Sequence, residues 1–280
     1  MVKRKRKLRL SALIFLIAVV GLGIFGIYKI VDFAKGNKEE QTIPKEEETA
    51  EATEEPEEKE PEEKEEEPKE EEEPTEEVDP EEDPRFSDFD SYLLLANKKH
   101  PLPIDYVPSD MRVPNVDMRY NQWELRDAAA TALEEMFQAA TNDGLHLICG
   151  SGYRSAEFQK VLYDNYVAAN GVEAADTYSA RPGYSDHQTG LATDLCGSDE
   201  TYDLSQAFEG TQEGIWLKDN AHKFGFIMRY PKGKDEITGY MYEPWHFRYV
   251  GVDEATKIYE KDEYYSFEEY YGVEGGGYAD

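Results

Sequence analysis

The chain has 280 residues, with 61 acidic and 30 basic side chains, and its formal net charge is −31 at pH 7. About 26 of the acidic side chains, against five basic ones, lie in residues 37–84. The region from residue 85 onwards is also acidic, at roughly −17, which argues against a nucleic-acid partner.

The N-terminus combines a basic stub, residues 1–9, with an apolar segment, residues 10–31. Residues 10–28 carry no charge, and as a helix they would span roughly 28 Å, close to the hydrocarbon thickness of a bilayer. A cleaved signal peptide is the competing interpretation, but no convincing cleavage site or cysteine for lipid attachment follows. The sequence therefore predicts a single-pass transmembrane anchor with a cytoplasmic stub and an extracellular remainder.

Residues 32–84 are rich in Glu and Pro, and such a composition cannot bury enough apolar surface to fold. We expect a disordered, solvated linker, with cation or wall-polymer binding by the Glu runs as the alternative. Residues 85–280 are the only region able to fold, and they are long enough for one domain with a substantial core.

Within this region the hydrophobic pattern predicts alternating helices and short strands. The clearest helix is predicted over residues 122–141, because its apolar side chains repeat with a 3.6-residue period. Further helices are predicted at 156–169, with Ser155 as N-cap, at 214–223 and from Asp253, and strands at 145–149, 191–195, 226–229 and 245–249. The order lacks a βαβ rhythm, so we expect a single α+β domain with a small, mostly antiparallel sheet flanked by helices.

Two features of this region have two interpretations each. Cys149 and Cys196 both end a predicted strand, and they either pair or remain buried free thiols. The Tyr- and Glu-rich end, residues 260–280, forms either a packing helix or a patch that contacts the cell wall.

Two short segments carry the chemistry, SDHQTGLATD at residues 185–194 and EPWH at residues 243–246. They offer two imidazoles and a carboxylate, from His187, His246 and Asp194, which are common zinc donors in hydrolytic sites. In a straight strand the side chains of His187 and Asp194 would point in opposite directions. Gly190 permits a bend between them, so both can face the same point. Glu243 is a spare carboxylate that can face the metal-bound water rather than the ion.

The other three histidines are weaker candidates for metal binding. His100 and His222 have the pattern of surface or helix-face residues, and His146 that of a strand residue in the core or behind a ligand. We therefore predict that none of the three is a ligand.

These segments resemble the VanY-type D-alanyl-D-alanine carboxypeptidase family, which includes L,D-carboxypeptidase relatives. The family patterns S-x-H-x-x-G-x-A-x-D and E-x-W-H are matched by Ser185, His187, Gly190, Ala192 and Asp194, and by Glu243, Trp245 and His246. Residues 151–155 match the S-G-Y-R-S turn of the family, and residues 97–98, 101–103 and 105–108 are similar to its N-terminal signature. The resemblance covers roughly residues 93–250.

The resemblance implies the Hedgehog/DD-peptidase fold and one zinc ion. It implies zinc ligands His187, Asp194 and His246, a catalytic base Glu243, an electrophilic residue Arg154, and substrate contacts from Arg154, Gln159, Ser185 and Tyr230. Arg154 has two further interpretations, a grip on the terminal carboxylate of the substrate and a simple salt bridge.

We therefore expect a membrane-anchored, extracellular zinc carboxypeptidase that removes the C-terminal D-alanine from peptidoglycan stem peptides ending in D-Ala-D-Ala. The first alternative is an L,D-carboxypeptidase that acts on tetrapeptide stems. An alternative of another class is an inactive module that binds wall peptides or a protein, against which the presence of Glu243 argues.

Overall fold

A computed structural model describes residues 79–278 of the chain. The predicted anchor and nearly all of the predicted linker lie outside the described residues. Within residues 79–278 no helix combines the length and the apolar character needed to cross a bilayer. The first described residues, Pro80–Glu82 and Pro84–Phe86, form two 3-10 turns, and a carboxylate oxygen of Glu81 lies 2.7 Å from Nε2 of His100.

The described region is an α+β domain, as the sequence predicts. Its strands are β1 (Met111–Arg112), β2 (Leu125–Arg126), β3 (Ile148–Ser151), β4 (Ala192–Cys196), β5 (Phe226–Met228) and β6 (His246–Tyr249). Its α-helices are α1 (Asp127–Asn142), α2 (Ala156–Asn170), α3 (Val172–Ala175), α4 (Gln212–Asn220), α5 (Asp235–Thr238), α6 (Val252–Lys261) and α7 (Phe267–Tyr271). Further 3-10 turns cover Asp186–Thr189, Glu200–Tyr202, Gln206–Gly210 and Ala221–Phe224.

The main sheet has four antiparallel strands in the order β3-β4-β6-β5, and β1 and β2 form a separate antiparallel pair. Strand β4 is buried along its whole length, because it lies between β3 and β6 and is covered on both faces. All four predicted strands are present in this sheet, although β3 begins three residues later than predicted. The sheet is small and antiparallel, in agreement with the prediction.

Helix α1 packs against the largest apolar cluster of the domain. Its buried side chains include Ala129, Leu133, Met136 and Ala140, one face of a 3.6-residue period. The predicted start at residue 122 is wrong, and the helix begins at Asp127. The prediction failed because Leu125 fits the helical period but belongs to β2, which pairs with β1 and is also buried.

Helix α2 begins where the sequence predicts. The Ser155 hydroxyl accepts a hydrogen bond from the backbone N–H of Phe158 at 3.1 Å, which satisfies one of the free donors of the first turn. Most of α2 is partly exposed, and its buried side chains are Ala156 and Gln159. The helix therefore places Gln159, five residues after Arg154, against the interior.

The C-terminal segment packs against the domain. Helix α7 begins with a capping box between Ser266 and Glu269, and Phe267 is fully buried. Phe267 packs edge-on against Phe86, and Tyr271 contacts both rings. Of the two interpretations of this segment, the structure therefore shows packing.

Both cysteines are free and buried. Cys149 is paired in register with Leu195, whereas Cys196 is paired with Ile148. Directly opposed residues share a face of the sheet and consecutive residues alternate, so the two sulfurs lie on opposite faces. This register prevents a disulfide between them.

Candidate metal centre and active site

His187 lies in the buried 3-10 turn that precedes β4. Gly190 ends this turn with φ +69°, and a Cβ atom there would lie 2.8 Å from Sδ of Met111, so glycine alone fits. The bend turns His187 back towards the sheet. Its Nδ1 lies 2.9 Å from the carbonyl oxygen of Gly152, which can only accept, so Nδ1 carries the proton and Nε2 offers its lone pair.

Asp194 and His246 are directly opposed in the β4–β6 ladder, so their side chains share one face of the sheet. Nδ1 of His246 lies 3.3 Å from Oδ1 of Asp194, and Nε2 of His187 lies 3.5 Å from Oδ2. Oδ2 of Asp194 also accepts hydrogen bonds from the Ser151 hydroxyl and from Arg154. Oδ1 is buried and accepts no hydrogen bond from any residue in the range 79–278.

The other nitrogen of the His246 ring is fixed by Asp186. Nε2 of His246 lies 3.2 Å from Oδ2 of Asp186. Asp186 is itself buried, and its other oxygen, Oδ1, accepts a hydrogen bond from Arg248. A carboxylate that accepts from one ring nitrogen of a histidine orients the other nitrogen, the arrangement common behind metal-binding histidines. His246 therefore directs Nδ1 towards Asp194.

One donor atom from each of His187, Asp194 and His246 lies within 4.8 Å of the others, and all three residues are buried. Two imidazole nitrogens and one carboxylate oxygen form the three-residue donor set that catalytic zinc sites use. The buried Oδ1 atom of Asp194, which has no hydrogen-bond partner in the described part of the chain, is the kind of atom that a cation satisfies. The residues therefore fit a zinc ion.

The pKa values of the three candidate ligands differ strongly from their ordinary values. Burial, reinforced by Arg154, lowers the pKa of His187 to about 4, so this ring is neutral at pH 7. Burial opposes ionisation of Asp194, yet the two histidines hold its pKa well below the usual range. Burial alone would lower the pKa of His246, but the neighbouring carboxylates of Asp186 and Asp194 raise it to about 9.

Glu243 lies beside the three donors. Its Oε2 atom is 3.6 Å from Nδ1 of His246, and within residues 79–278 its carboxylate accepts no hydrogen bond. Burial raises the pKa of Glu243 to about 8, partly offset by the charge of His246. A carboxyl group with a pKa near the working pH, free of other partners, is suited to accept and return a proton.

Arg154 points into the same group of side chains. Its Nη2 atom donates to Asp194 at 3.0 Å and lies 2.7 Å from Nε2 of His187, so a cationic group already contacts two of the candidate ligands. The Gln159 side-chain oxygen accepts from Nη1 of Arg154 at 3.3 Å, while its amide nitrogen donates to Ser179 and to the Ala180 carbonyl. Gln159 thus orients Arg154, and its predicted contact with substrate stays a prediction.

The other two predicted substrate contacts differ in their placement. The ring of Tyr230 lies 4.8 Å from the His246 ring, at an interplanar angle of 55°, so Tyr230 lines the site. Ser185 is buried at the start of the His187 turn, and within the described residues its hydroxyl makes no hydrogen bond. Their roles stay predictions.

Sequence reasoning missed Ser151 and Asp186, which hold Asp194 and His246 in place. Both lie inside the motifs that carry the resemblance, and Asp186 directly precedes His187. An acidic residue between two positions of a metal motif, followed by a buried strand, was the available signal. The contact with Arg248 had no such signal, because 62 residues separate the two.

Comparison with known proteins decides the family. The family model described as "VanY: D-alanyl-D-alanine carboxypeptidase" matches residues 122–252, which include all three candidate ligands and Glu243. YodJ of Bacillus subtilis, whose name assigns it provisionally as a carboxypeptidase, is 45% identical over 186 residues, 65% of this chain and 67% of YodJ. The chain belongs to the VanY family.

Two further members show the range of this family. A D-alanyl-D-alanine carboxypeptidase of Enterococcus faecalis is 37% identical over 60% of this chain, and the match covers 62% of its own length, less than two thirds. The solved structure of LdcB, described as an LD-carboxypeptidase whose structure reveals peptidoglycan recognition, is 44% identical. It superposes with a TM-score of 0.61 over 66% of this chain and 87% of LdcB.

Proposed function

We propose that this VanY-family protein is a zinc-dependent carboxypeptidase that removes the C-terminal D-alanine from peptidoglycan stem peptides. The observation that carries the proposal is the convergence of His187, Asp194 and His246 beside Glu243, a buried carboxyl group without a hydrogen-bond partner among residues 79–278. The names of the relatives support the substrate class, since they refer to D-alanyl-D-alanine peptides and to peptidoglycan.

His187, Asp194 and His246 would hold the zinc ion. Zinc supplies a Lewis acid that polarises a carbonyl group and makes water more acidic. Glu243 accepts a proton from the attacking water and transfers it to the amine of the leaving D-alanine. A carboxylate with a lowered pKa would be a weak base, whereas the raised pKa of Glu243 suits both transfers near neutral pH.

Arg154 supplies the positive charge on the substrate side. As the peptide carbonyl is attacked, negative charge grows on its oxygen, and a preorganised guanidinium stabilises that charge. The same group can instead bind the terminal carboxylate of the substrate through two parallel hydrogen bonds. Gln159 supports either role, because it accepts a hydrogen bond from Nη1 and limits the rotation of the guanidinium.

The residue before the scissile bond defines two candidate reactions. The D,D reaction on pentapeptide stems is the first candidate, because the matching family model and the enterococcal relative carry that name. The L,D reaction on tetrapeptide stems is the second, and a specific observation favours it. LdcB, an LD-carboxypeptidase, is more similar to this chain, at 44% identity, than the enterococcal D,D enzyme, at 37%.

The test is an end-point assay with two synthetic stems. Purified protein is incubated with a pentapeptide ending in D-Ala-D-Ala and with a tetrapeptide ending in a single D-alanine, and the products are weighed by mass spectrometry. Loss of one alanine from the pentapeptide identifies the D,D reaction, and loss from the tetrapeptide the L,D reaction. A zinc-loaded protein that cleaves neither stem would overturn the proposal and favour the inactive binding module.

We also propose that residues 10–31 anchor the catalytic domain to the outer face of the cell membrane. The proposal is supported by the uncharged run at residues 10–28 and by the basic stub before it. Fractionation of cells tests it with an antibody against the domain. Recovery in the membrane fraction, with external protease cutting the domain from intact protoplasts, is expected, and recovery in the medium would contradict it.

A further inference from the structure

Four buried charged side chains connect the candidate ligand His246 to the C-terminal helix α7. They are Asp186, the two arginines that lie next to it, Arg248 and Arg229, and Glu268, which pairs with Arg229, and none of their side chains is exposed to solvent. Two are acidic and two are basic, so the group is neutral as a whole. Since buried charges are costly unless each is paired, the partners within this group decide where each one points.

Asp186 serves two partners. One carboxylate oxygen accepts from Arg248, and the other lies 3.2 Å from Nε2 of His246. Arg248 is further fixed by hydrogen bonds to the backbone carbonyls of Tyr92 and Leu94. Arg248 therefore cannot follow a movement of Asp186 without losing bonds of its own.

Arg229 lies between Asp186 and Glu268 and is hydrogen-bonded only to Glu268. Its two terminal nitrogens donate to the two carboxylate oxygens of Glu268 at 2.8 and 2.7 Å, a bidentate pair. Its Nε atom is buried, has no hydrogen-bond partner among the residues that the structure describes, and lies 4.0 Å from Oδ1 of Asp186. Arg229 is thus a further cation next to Asp186, not hydrogen-bonded to it, that could compete with His246, and Glu268 restrains it.

We propose that Glu268 is a positioning residue for the metal site, because it holds Arg229 and so leaves Asp186 to orient His246. This inference rests on the metal-binding part of the proposed function. Glu268 lies 16 residues beyond the segment that the family model matches, residues 122–252. By this proposal the Tyr- and Glu-rich C-terminal segment contributes to the geometry of the metal site.

Distances show why the restraint matters. A hydrogen bond from Nε of Arg229 to Asp186 would need the present 4.0 Å to shorten to about 3 Å. A carboxylate shift of about 1 Å is large enough to break a hydrogen bond, and Oδ2 of Asp186 already lies 3.2 Å from Nε2 of His246. Without Glu268, Arg229 would be an unpaired buried cation, and Asp186 is the carboxylate nearest to its free Nε atom.

The test measures metal affinity rather than turnover. Glu268→Gln removes the charge and keeps the size of the side chain, and Glu269→Gln is the matched control. Glu269 lies on the same helix, but its ion pair is with Lys234 near the surface, at 2.7 Å. The apparent dissociation constant for Zn²⁺ is measured by competition with a coloured chelator, and the absorption spectrum of bound Co²⁺ reports the ligand geometry.

We expect Glu268→Gln to weaken Zn²⁺ binding by about tenfold or more and to alter the Co²⁺ spectrum, in the range known for partners behind metal ligands. Glu269→Gln should match the wild type in both. Equal affinities for wild type and Glu268→Gln would overturn the inference, as would equal losses in both variants, since a general effect of helix α7 would then suffice.

A double variant separates positioning from mere anchoring of the helix. Arg229→Gln combined with Glu268→Gln removes the competing cation and leaves no charge unpaired, so it also folds if the single variant does not. Asp186 then stays with His246, and we expect Zn²⁺ affinity within about threefold of the wild type. A double variant that binds as weakly as Glu268→Gln, or more weakly, contradicts the proposal.

The two proposals fail separately. If the wild-type protein binds Zn²⁺ but cleaves no stem peptide, the proposed function is refuted and the proposed role of Glu268 is not affected. If the wild-type protein cleaves the peptides but Glu268→Gln leaves the Zn²⁺ affinity unchanged, the role of Glu268 is refuted and the proposed function stands.

Discussion

Replacing Glu243 with Gln changes one proton-accepting group and little else in the structure. The amide has nearly the volume of the carboxyl group, so no cavity forms in a position that is only 8% exposed. Within the described residues no hydrogen bond to the carboxylate is lost, and none of the three candidate ligands is itself replaced, although the ion-pair contact of Glu243 with His246 becomes neutral. The variant therefore isolates the proton transfer.

The effect on catalysis follows from the role of a general base. Such a group contributes about 10²- to 10⁴-fold to the rate, so we expect kcat to fall by that factor while the zinc content stays at one ion per chain. The value of KM should change much less, because Glu243 binds no part of the substrate before the reaction. A fall in kcat without loss of metal is thus the expected signature.

The same substitution should stabilise the folded, metal-free protein, although it lowers activity. Glu243 ionises with a pKa of about 4.5 in the unfolded chain and about 8 in the folded, metal-free protein. Folded protein therefore binds a proton that the unfolded chain has released, and stability is lost as pH rises between these values. At pH 7 this amounts to roughly 3 kcal/mol, which the neutral glutamine restores.

Both effects are measured on the same preparations. Turnover of the stem peptide and metal content are compared between wild type, Glu243→Gln and Glu236→Gln, an exposed glutamate on helix α5 that serves as the control. Urea unfolding at pH 5 and pH 7, with zinc removed, gives the stability difference. A Glu243→Gln enzyme with zinc bound and more than about a tenth of wild-type kcat would refute the assignment of Glu243 as the base.

Further predictions concern the metal, the pH dependence and the fold. Chelators should abolish turnover and added Zn²⁺ should restore it, whereas β-lactams should have no effect, because the chain contains no S-x-x-K motif. Since His246 has a pKa of about 9 without metal and must lose a proton to bind it, Zn²⁺ affinity measured by chelator competition should rise about tenfold per pH unit from pH 7 and level off above pH 9. Ser155→Ala should lower the free energy of unfolding by about 1 kcal/mol in urea titrations, because it removes the cap of α2. Leu133→Ala should lower it by about 2–5 kcal/mol, because this fully buried side chain leaves a cavity.

Short motifs with a physical reason for each residue were predictable from the sequence. The separation of His187 and Asp194 required a bend, and Gly190 supplies it with a positive φ. Ser155 was recognisable as an N-cap because its hydroxyl precedes a run of helix-forming residues. Such features depend on neighbours in the chain, so the sequence contains their causes.

Contacts between distant segments were not predictable in this way. Nothing near Asp186 in the sequence indicates Arg248, and nothing near Arg229 indicates Glu268, because only the arrangement of the sheet and helix α7 brings these pairs together. The prediction of where α1 begins was wrong for a related reason. Leu125 fits a helical period equally well, and its pairing with Arg112 across a two-stranded sheet overrides that local preference.

The opposed positions of Asp194 and His246 have a consequence for how such enzymes can diversify. Backbone hydrogen bonds between two neighbouring strands, and not the surrounding loops, set the spacing of these donors. The connecting segments can therefore change length and sequence while the spacing of these two donors stays the same. A transplant of the segments between β3 and β4 and between β5 and β6 from a relative of different specificity should exchange which peptide is cut, provided that His187, Arg154 and Glu243, which lie on these segments, are retained.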